Sequence, residues 1–381
     1  MRRFREIGPI IGLSVTLLTT LLAAAAQQPA RVHRIGFLSP QSSVSAAALR
    51  GPGDPVRATA LIVALALGLT WPPLSSDAQP ARKVYRVGFL GAASPASYAS
   101  LLEAFRLGLR DLGYTEGKNV MIDSRWAEGK YERLPGLAAE LVRLKPDVLL
   151  THGTPGTRAA KQVTTTIPIV MAVTGDPVAT GLVRSLANPG GNVTGSALFL
   201  PELNAKRLEM LKEVFPHLSR VAVLVNPDNP ANAVTLKAME ETARSITIEL
   251  RPVEARGPAD FDGAFATIAK WRAGALSVYE DAMLIAQARR VAGLATKAQV
   301  PSIGFKEYAE GGGLMAFGVD FPDLWRRAAG FVDRIFRGAK PADMPVEQPS
   351  KFEVVINLRT ARVLGVTIPQ ALLLRADQVI K

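Results

Sequence analysis

The chain has 381 residues, enough for two domains of ordinary size, and its 48% hydrophobic and 20% charged residues are the balance of a globular protein, not a disordered one. It contains no cysteine, which excludes a disulfide framework, thiol catalysis and a cysteine-based zinc site. The formal net charge of +12 is scattered, with no basic run interleaved with aromatics, so a solvated basic surface is expected and nucleic acid is not an expected partner.

Met1-Arg2-Arg3-Phe4-Arg5 followed by an apolar run over 7–26 and the small residues Ala24-Ala25-Ala26 reads as an export signal, with a membrane anchor as the alternative. Arg2-Arg3 leaves both the general and the twin-arginine export routes open. Gln28-Pro29-Ala30-Arg31 with Ile35-Gly36-Phe37-Leu38 is echoed by Gln79-Pro80-Ala81-Arg82 with Val87-Gly88-Phe89-Leu90, and a second apolar run over 58–69 precedes the second copy. Leader plus first strand thus occurs twice, and only the second copy continues into a domain. Residues 1–56 read as a truncated duplicate or a misassigned start; two genuine apolar segments are the alternative. The expected organisation is a leader region over 1–82, the first part of lobe 1 over 83–197, lobe 2 over 198–304, and a return to lobe 1 with a C-terminal hinge or tail over 305–381.

From Lys83 onward short apolar runs alternate with longer amphipathic ones, the pattern of strands joined by crossover helices in parallel sheets. Strands are predicted over 84–90, 119–126, 147–150 and 167–173. Helices are predicted from Pro95 to Leu112, with Ser94 as cap, over 131–144, and from about Pro155 to Val163. The Gly/Asn/Pro-rich stretch from Thr174 to Gly195 reads as the floor of a cleft and the approach to a hinge. A second set follows, with strands over 221–225, 247–252, 275–279, 301–305 and 314–319. Its helices are placed over 202–214, 231–245, 259–271 and 282–298, and one from Asp320 or Pro322 to Phe336. Residues 341–351 read as a Pro-rich connection, 352–357 as a final strand and 360–364 as a short helix. The fold class is α/β, two Rossmann-like lobes with similar openings, Arg86-Val87-Gly88-Phe89-Leu90 and Arg220-Val221-Ala222-Val223-Leu224.

Ligands of open α/β sheets bind beyond the carboxyl ends of the strands. Those ends bring forward Ala93 and Ser94, Gly153, Thr154 and Pro155, Thr174 and Asp176, Asn226, and Tyr279 with Asp281 as the expected ligand contacts. Gly153-Thr154-Pro155-Gly156-Thr157 opens a helix with small residues whose free amides suit an anion, while Asp176 and Asp281 suit a cation. An anion site facing a carboxylate across a cleft is what a zwitterion requires. Each piece also has a plain structural reading: Thr154-Pro155 and Asp281 as helix caps, Asp176 before Pro177 as a turn residue, His152 as a packing residue. Asn192-Val193-Thr194 reads as an Asx-type turn. No phosphate loop, dinucleotide fingerprint, nucleophile elbow or zincin motif occurs, so no catalytic residue, metal or cofactor is expected.

The chain resembles the substrate-binding proteins of ABC importers in the tryptophan/tyrosine-binding (TrpX-like) group. The carrying residues are Arg86–Gly91, Glu103-Ala104-Phe105-Arg106, Leu112-Gly113-Tyr114, Arg125-Trp126-Ala127-Glu128-Gly129, Thr166-Ile167-Pro168-Ile169-Val170, Gly175-Asp176-Pro177-Val178, Asn188 to Gly195, Val225-Asn226-Pro227 and Gly312-Gly313-Leu314-Met315. The similarity covers about 83–381. It implies a type I periplasmic-binding-protein fold with a three-stretch hinge, and ligand contact from Gly153-Thr154-Pro155, Asp176 and Asp281. Gly175 is a departure, because better-known members run Thr-Asp-Pro directly. The resulting expectation is an exported, periplasmic, monomeric receptor that captures an amino acid or other small carboxylate and delivers it to a membrane permease. A nucleotide-sugar enzyme with two Rossmann-like lobes and the sensor domain of a signalling receptor are the alternatives.

Overall fold

The computed structural model describes residues 83–381, so the leader and repeat read in 1–82 lie outside the described residues. Strands β1 (Tyr85–Gly91), β2 (Val120–Trp126), β3 (Val148–His152), β4 (Ile169–Thr174) and β5 (Val193–Ala197) form one sheet in the order β2-β1-β3-β4-β5, every pairing parallel. β3 and β4 are buried along their whole length, as an apolar run must be when helices cover both faces of a parallel sheet. Helix α1 (Pro95–Asp111) begins as expected, with Ser94 accepting the Ser97 N–H and Pro95 in the first turn. Helix α2 (Leu134–Arg143) starts later than its apolar pattern suggests. Pro135 belongs in a first turn, and a 3-10 turn over Tyr131–Arg133 precedes it. Helix α3 (Gly153–Val163) follows β3 without a loop.

The second sheet contains β6 (Arg220–Val225), β7 (Glu249–Glu254), β8 (Ala275–Val278), β9 (Ser302–Gly304), β10 (Met315–Gly318), β11 (Glu353–Asn357) and β12 (Gln378–Ile380). Their order is β12-β11-β10-β9-β8-β6-β7, parallel except for β10 against β11. Pro252 sits in the edge strand β7, the place where a missing N–H leaves no ladder bond unmade. Helices α4 (Leu200–Val214), α5 (Asn232–Ser245), α6 (Phe261–Lys270), α7 (Ala282–Ala286), α8 (Ala288–Lys297) and α9 (Lys306–Glu310) belong to this half. The expected single helix over 282–298 is two, α7 and α8, broken at Gln287 where ψ is 14°.

The return to the first half is also placed differently from expectation. Residues 302–318 stay in the second sheet, because β10 pairs with both β9 and β11 and its departure would strip backbone partners from each. Only helix α10 (Phe321–Phe336) and the segment after it go back. The Tyr114 hydroxyl donates to Asp333 of α10 at 2.9 Å. The Thr194 hydroxyl donates to the Met344 carbonyl at 2.8 Å, and the Glu347 N–H donates to the Gly195 carbonyl at 2.9 Å. The chain then rejoins the second sheet through β11, α11 (Leu358–Val363), α12 (Gln370–Leu374) and β12. Three stretches therefore cross between the halves, at 198–199, 319–320 and 348–352. Lys306 ties the second of them to the start of β11, 2.9 Å from Asp320 and 2.8 Å from Glu353. Among the described residues no helix is long and apolar enough to cross a membrane.

Candidate ligand-binding cleft

The carboxyl ends of β3 and β4 meet those of β6 and β8 around a cavity of about 20 Å³, room for little more than a water molecule. The first half contributes His152, Gly153, Thr154, Thr174 and Gly175, and the second contributes Asn229, Ala231, Glu280 and Ala282. Leu198 and Leu200 at the first crossing, Ile285 of α7 and Phe321 of α10 supply apolar walls.

On the first side, Gly153 has φ +75°, a backbone that lets β3 turn at once into α3 and moves the helix start ahead of the expected Pro155. No side chain caps α3, so the amides of its first turn remain available for an anion. The Thr154 and Thr174 hydroxyls lie 3.1 Å apart at this helix start. His152 is buried, edge-on to Tyr98 and Trp325 at centroid distances of 5.3 and 5.6 Å. Burial pushes its imidazole down to about 4, so the ring is neutral near pH 7.

On the second side the cavity carboxylate is Glu280. Arg207, fully buried, donates to one of its oxygens and also to the Phe317 carbonyl at 2.7 and 2.9 Å and the Val278 carbonyl at 3.3 Å. The Asn204 amide donates to the other carboxylate oxygen at 3.3 Å. Glu280 is thus held by a buried cation from behind while it borders the cavity. Asn229 accepts the Ala231 N–H at 3.0 Å and donates to Asp281 at 2.9 Å.

Gly153, Thr154 and Thr174, expected at the ligand, do line the cavity; the other expected contacts do not. The Asp176 carboxylate accepts the N–H groups of Val178 and Ala179, both at 2.9 Å, and so closes its own turn. Ser94 is engaged in capping α1, and Ala93 and Pro155 are buried. The Tyr279 hydroxyl lies 3.2 Å from that of Thr235 inside the second half. Asn226 accepts the Asp228 N–H at 3.1 Å and donates to Asp281 at 3.4 Å. Asp281 caps α7 through Met283 and takes further hydrogen bonds from Asn229 and from Tyr131. Burial raises its carboxyl above the usual carboxylate range, against the pull of those hydrogen bonds.

Sequence reasoning passed over Glu280 and Asn229 at the cavity wall, Arg207 against Glu280, and Tyr131 against Asp281. Glu280 and Asn229 belong to strand-end runs that carry a signal. Arg207 inside α4 and Tyr131 beside α2 carry none, because only the packing of distant segments brings them here. The Gly175 departure has a steric reason: a Cβ there would lie 3.0 Å from Leu200 and 3.1 Å from Ala231 of the other half. Among the described residues no group of His, Asp and Glu is placed to hold a metal ion.

Comparison with known proteins matches residues 92–380 to the family of ABC transporter substrate binding proteins. A tyrosine-binding protein of Clostridioides difficile is 26% identical over 284 residues, covering 74% of this chain and 81% of that protein. A conserved domain protein from Vibrio cholerae is 29% identical with a TM-score of 0.74, covering 78% of this chain and 100% of its own. The ABC domain from Streptococcus pneumonia in complex with L-Trp is 25% identical with a TM-score of 0.72, at the same coverages. The paired parallel sheets are those of a type I periplasmic-binding-protein fold. With nearly all of its described residues matched, the chain belongs to the ABC transporter substrate-binding protein family.

Proposed function

We propose that this substrate-binding protein is an exported, periplasmic, monomeric receptor that closes over a zwitterionic amino acid with an aromatic side chain and hands it to a membrane permease. The observation that carries the reading is the polarity of the cavity: uncapped α3 amides with Thr154 and Thr174 on one side, the Arg207-backed Glu280 carboxylate on the other. The amides suit the solute carboxylate and Glu280 its ammonium group. Leu198, Leu200, Ile285 and Phe321 suit an apolar or aromatic remainder. The tyrosine-binding and L-Trp-bound relatives support the choice of solute class.

Drug-sized and amino-acid-sized ligands occupy pockets far larger than the cavity of about 20 Å³. Solute capture therefore requires the halves to part across the three crossings and close again, with a ligand that bridges both halves favouring the closed form. Neither a cofactor nor nucleic acid takes part in this reading. Thermal unfolding and isothermal titration with L-tryptophan, L-tyrosine, L-phenylalanine, benzoate and glucose test it. Stabilisation by aromatic amino acids is expected, about 2.7 kcal/mol at a hundredfold excess over Kd. Stabilisation by none of them rejects the solute class, and stabilisation by glucose alone rejects the zwitterion site.

A further inference from the structure

Tyr131 follows β2 in the first half, and its phenol is buried. Its hydroxyl reaches the second half, where it lies 2.9 Å from both carboxylate oxygens of Asp281 and accepts the Met283 N–H at 3.2 Å. The other hydrogen bonds to Asp281 come from its own half: Asn229 at 2.9 Å, Asn226 at 3.4 Å, and the N–H groups of Met283 and Leu284 at 2.9 and 3.4 Å. Among the described residues Tyr131 is therefore the one donor to Asp281 that parting of the halves would remove. The surroundings let the two surfaces meet: a Cβ on Gly129 would be 3.7 Å from the Met283 side chain. The interaction is charge-assisted, dry and across the cleft, so it forms only when the halves are together.

We propose that Tyr131 is a positioning residue for solute capture: its hydroxyl clasps Asp281 on closure and so sets how long the closed form, with its solute, persists. This rests on the reading above that the halves open and close around a solute. Asp281 then serves closure rather than touching the solute, which leaves Glu280 as the carboxylate facing it. A hydrogen bond to a charged group shifts such an equilibrium roughly ten- to a hundredfold.

Tyr131→Phe removes the hydroxyl and keeps the buried ring. Two measurements on the full chain test the clasp: stopped-flow release of L-tryptophan, and the solute-free radius of gyration by small-angle scattering. Release about ten- to a hundredfold faster, with association little changed, and a larger radius of gyration are the expected results. Equal release rates and equal radii overturn the clasp. So does a fall in urea midpoint with unchanged release, which would make Tyr131 a purely structural residue. If L-tryptophan does not bind at all, the solute reading fails separately and the scattering arm alone decides: a larger radius for Tyr131→Phe supports the clasp, an equal one overturns it.

Discussion

The buried pair Arg207–Glu280 offers a direct measure of how the cleft is built. Both side chains are almost wholly removed from water, at 0% and 4% exposure. Glu280→Gln preserves shape and an oxygen facing Asn204 but leaves the guanidinium without its counter-charge, with only the carbonyls of Phe317 and Val278 and the Asn204 side chain as acceptors. Removing one partner of a buried ion pair costs about 3–5 kcal/mol. At an unfolding entropy of about 2.1 cal/mol/K per residue over a fold of roughly 300 residues, each kcal/mol is worth ~1.6 °C, and the melting temperature falls by roughly 5–8 °C. Arg207→Met has a comparable cost, since it strands the carboxylate at the cavity wall. The double variant Arg207→Met/Glu280→Gln removes both charges, and is expected to lose at least ~2 kcal/mol less than the sum of the single losses. Urea denaturation of the four proteins at pH 7 closes the cycle. Solute titration adds a second readout, because in the proposed function Glu280→Gln also removes the partner of the solute ammonium group. Single losses below about 1 kcal/mol, or strict additivity in the double variant, would refute the reasoning.

Gly175→Val places methyl groups where a Cβ already meets Leu200 at 3.0 Å and Ala231 at 3.1 Å. Overpacking of about 1–3 kcal/mol should hold the halves apart, weaken solute binding roughly 5- to 150-fold and enlarge the radius of gyration; unchanged binding and radius would count against close contact there. His152 gives a pH signature. Its imidazole is held at about 4 in the fold and returns to about 6.5 on unfolding, so between those values the unfolded chain binds more protons. Its stabilising effect is complete above pH 6.5 and is lost as pH falls towards 4, by ~3 kcal/mol in all. His152→Phe should therefore flatten that part of the urea-midpoint profile, and parallel profiles for the two proteins would show that the ring is not buried as described.

Much of the architecture follows from local patterns in the chain. Val148–Leu150 of β3 and Ile169–Val173 of β4 are apolar, as a parallel strand covered on both faces requires, and their polar residues fall at the carboxyl ends that reach the cleft. Ser94-Pro95 marks the start of α1 through capping chemistry that needs no distant partner. The strand-end rule likewise brought Gly153, Thr154 and Thr174 to the cleft from sequence alone. Short elements escaped: β12 has three residues, and β5 lies in a Gly/Asn/Pro-rich stretch, so neither presents a period long enough to read. Glu280 and Asp281 are chemically alike neighbours, and nothing local says that the first borders the cavity while the second faces Tyr131. That choice, the buried cation behind Glu280 and the late return through α10 were settled by long-range packing. Arg207 and Glu280, 73 residues apart in the chain, become neighbours only when the second half packs, and Tyr131 and Asp281, 150 residues apart, only when both halves meet.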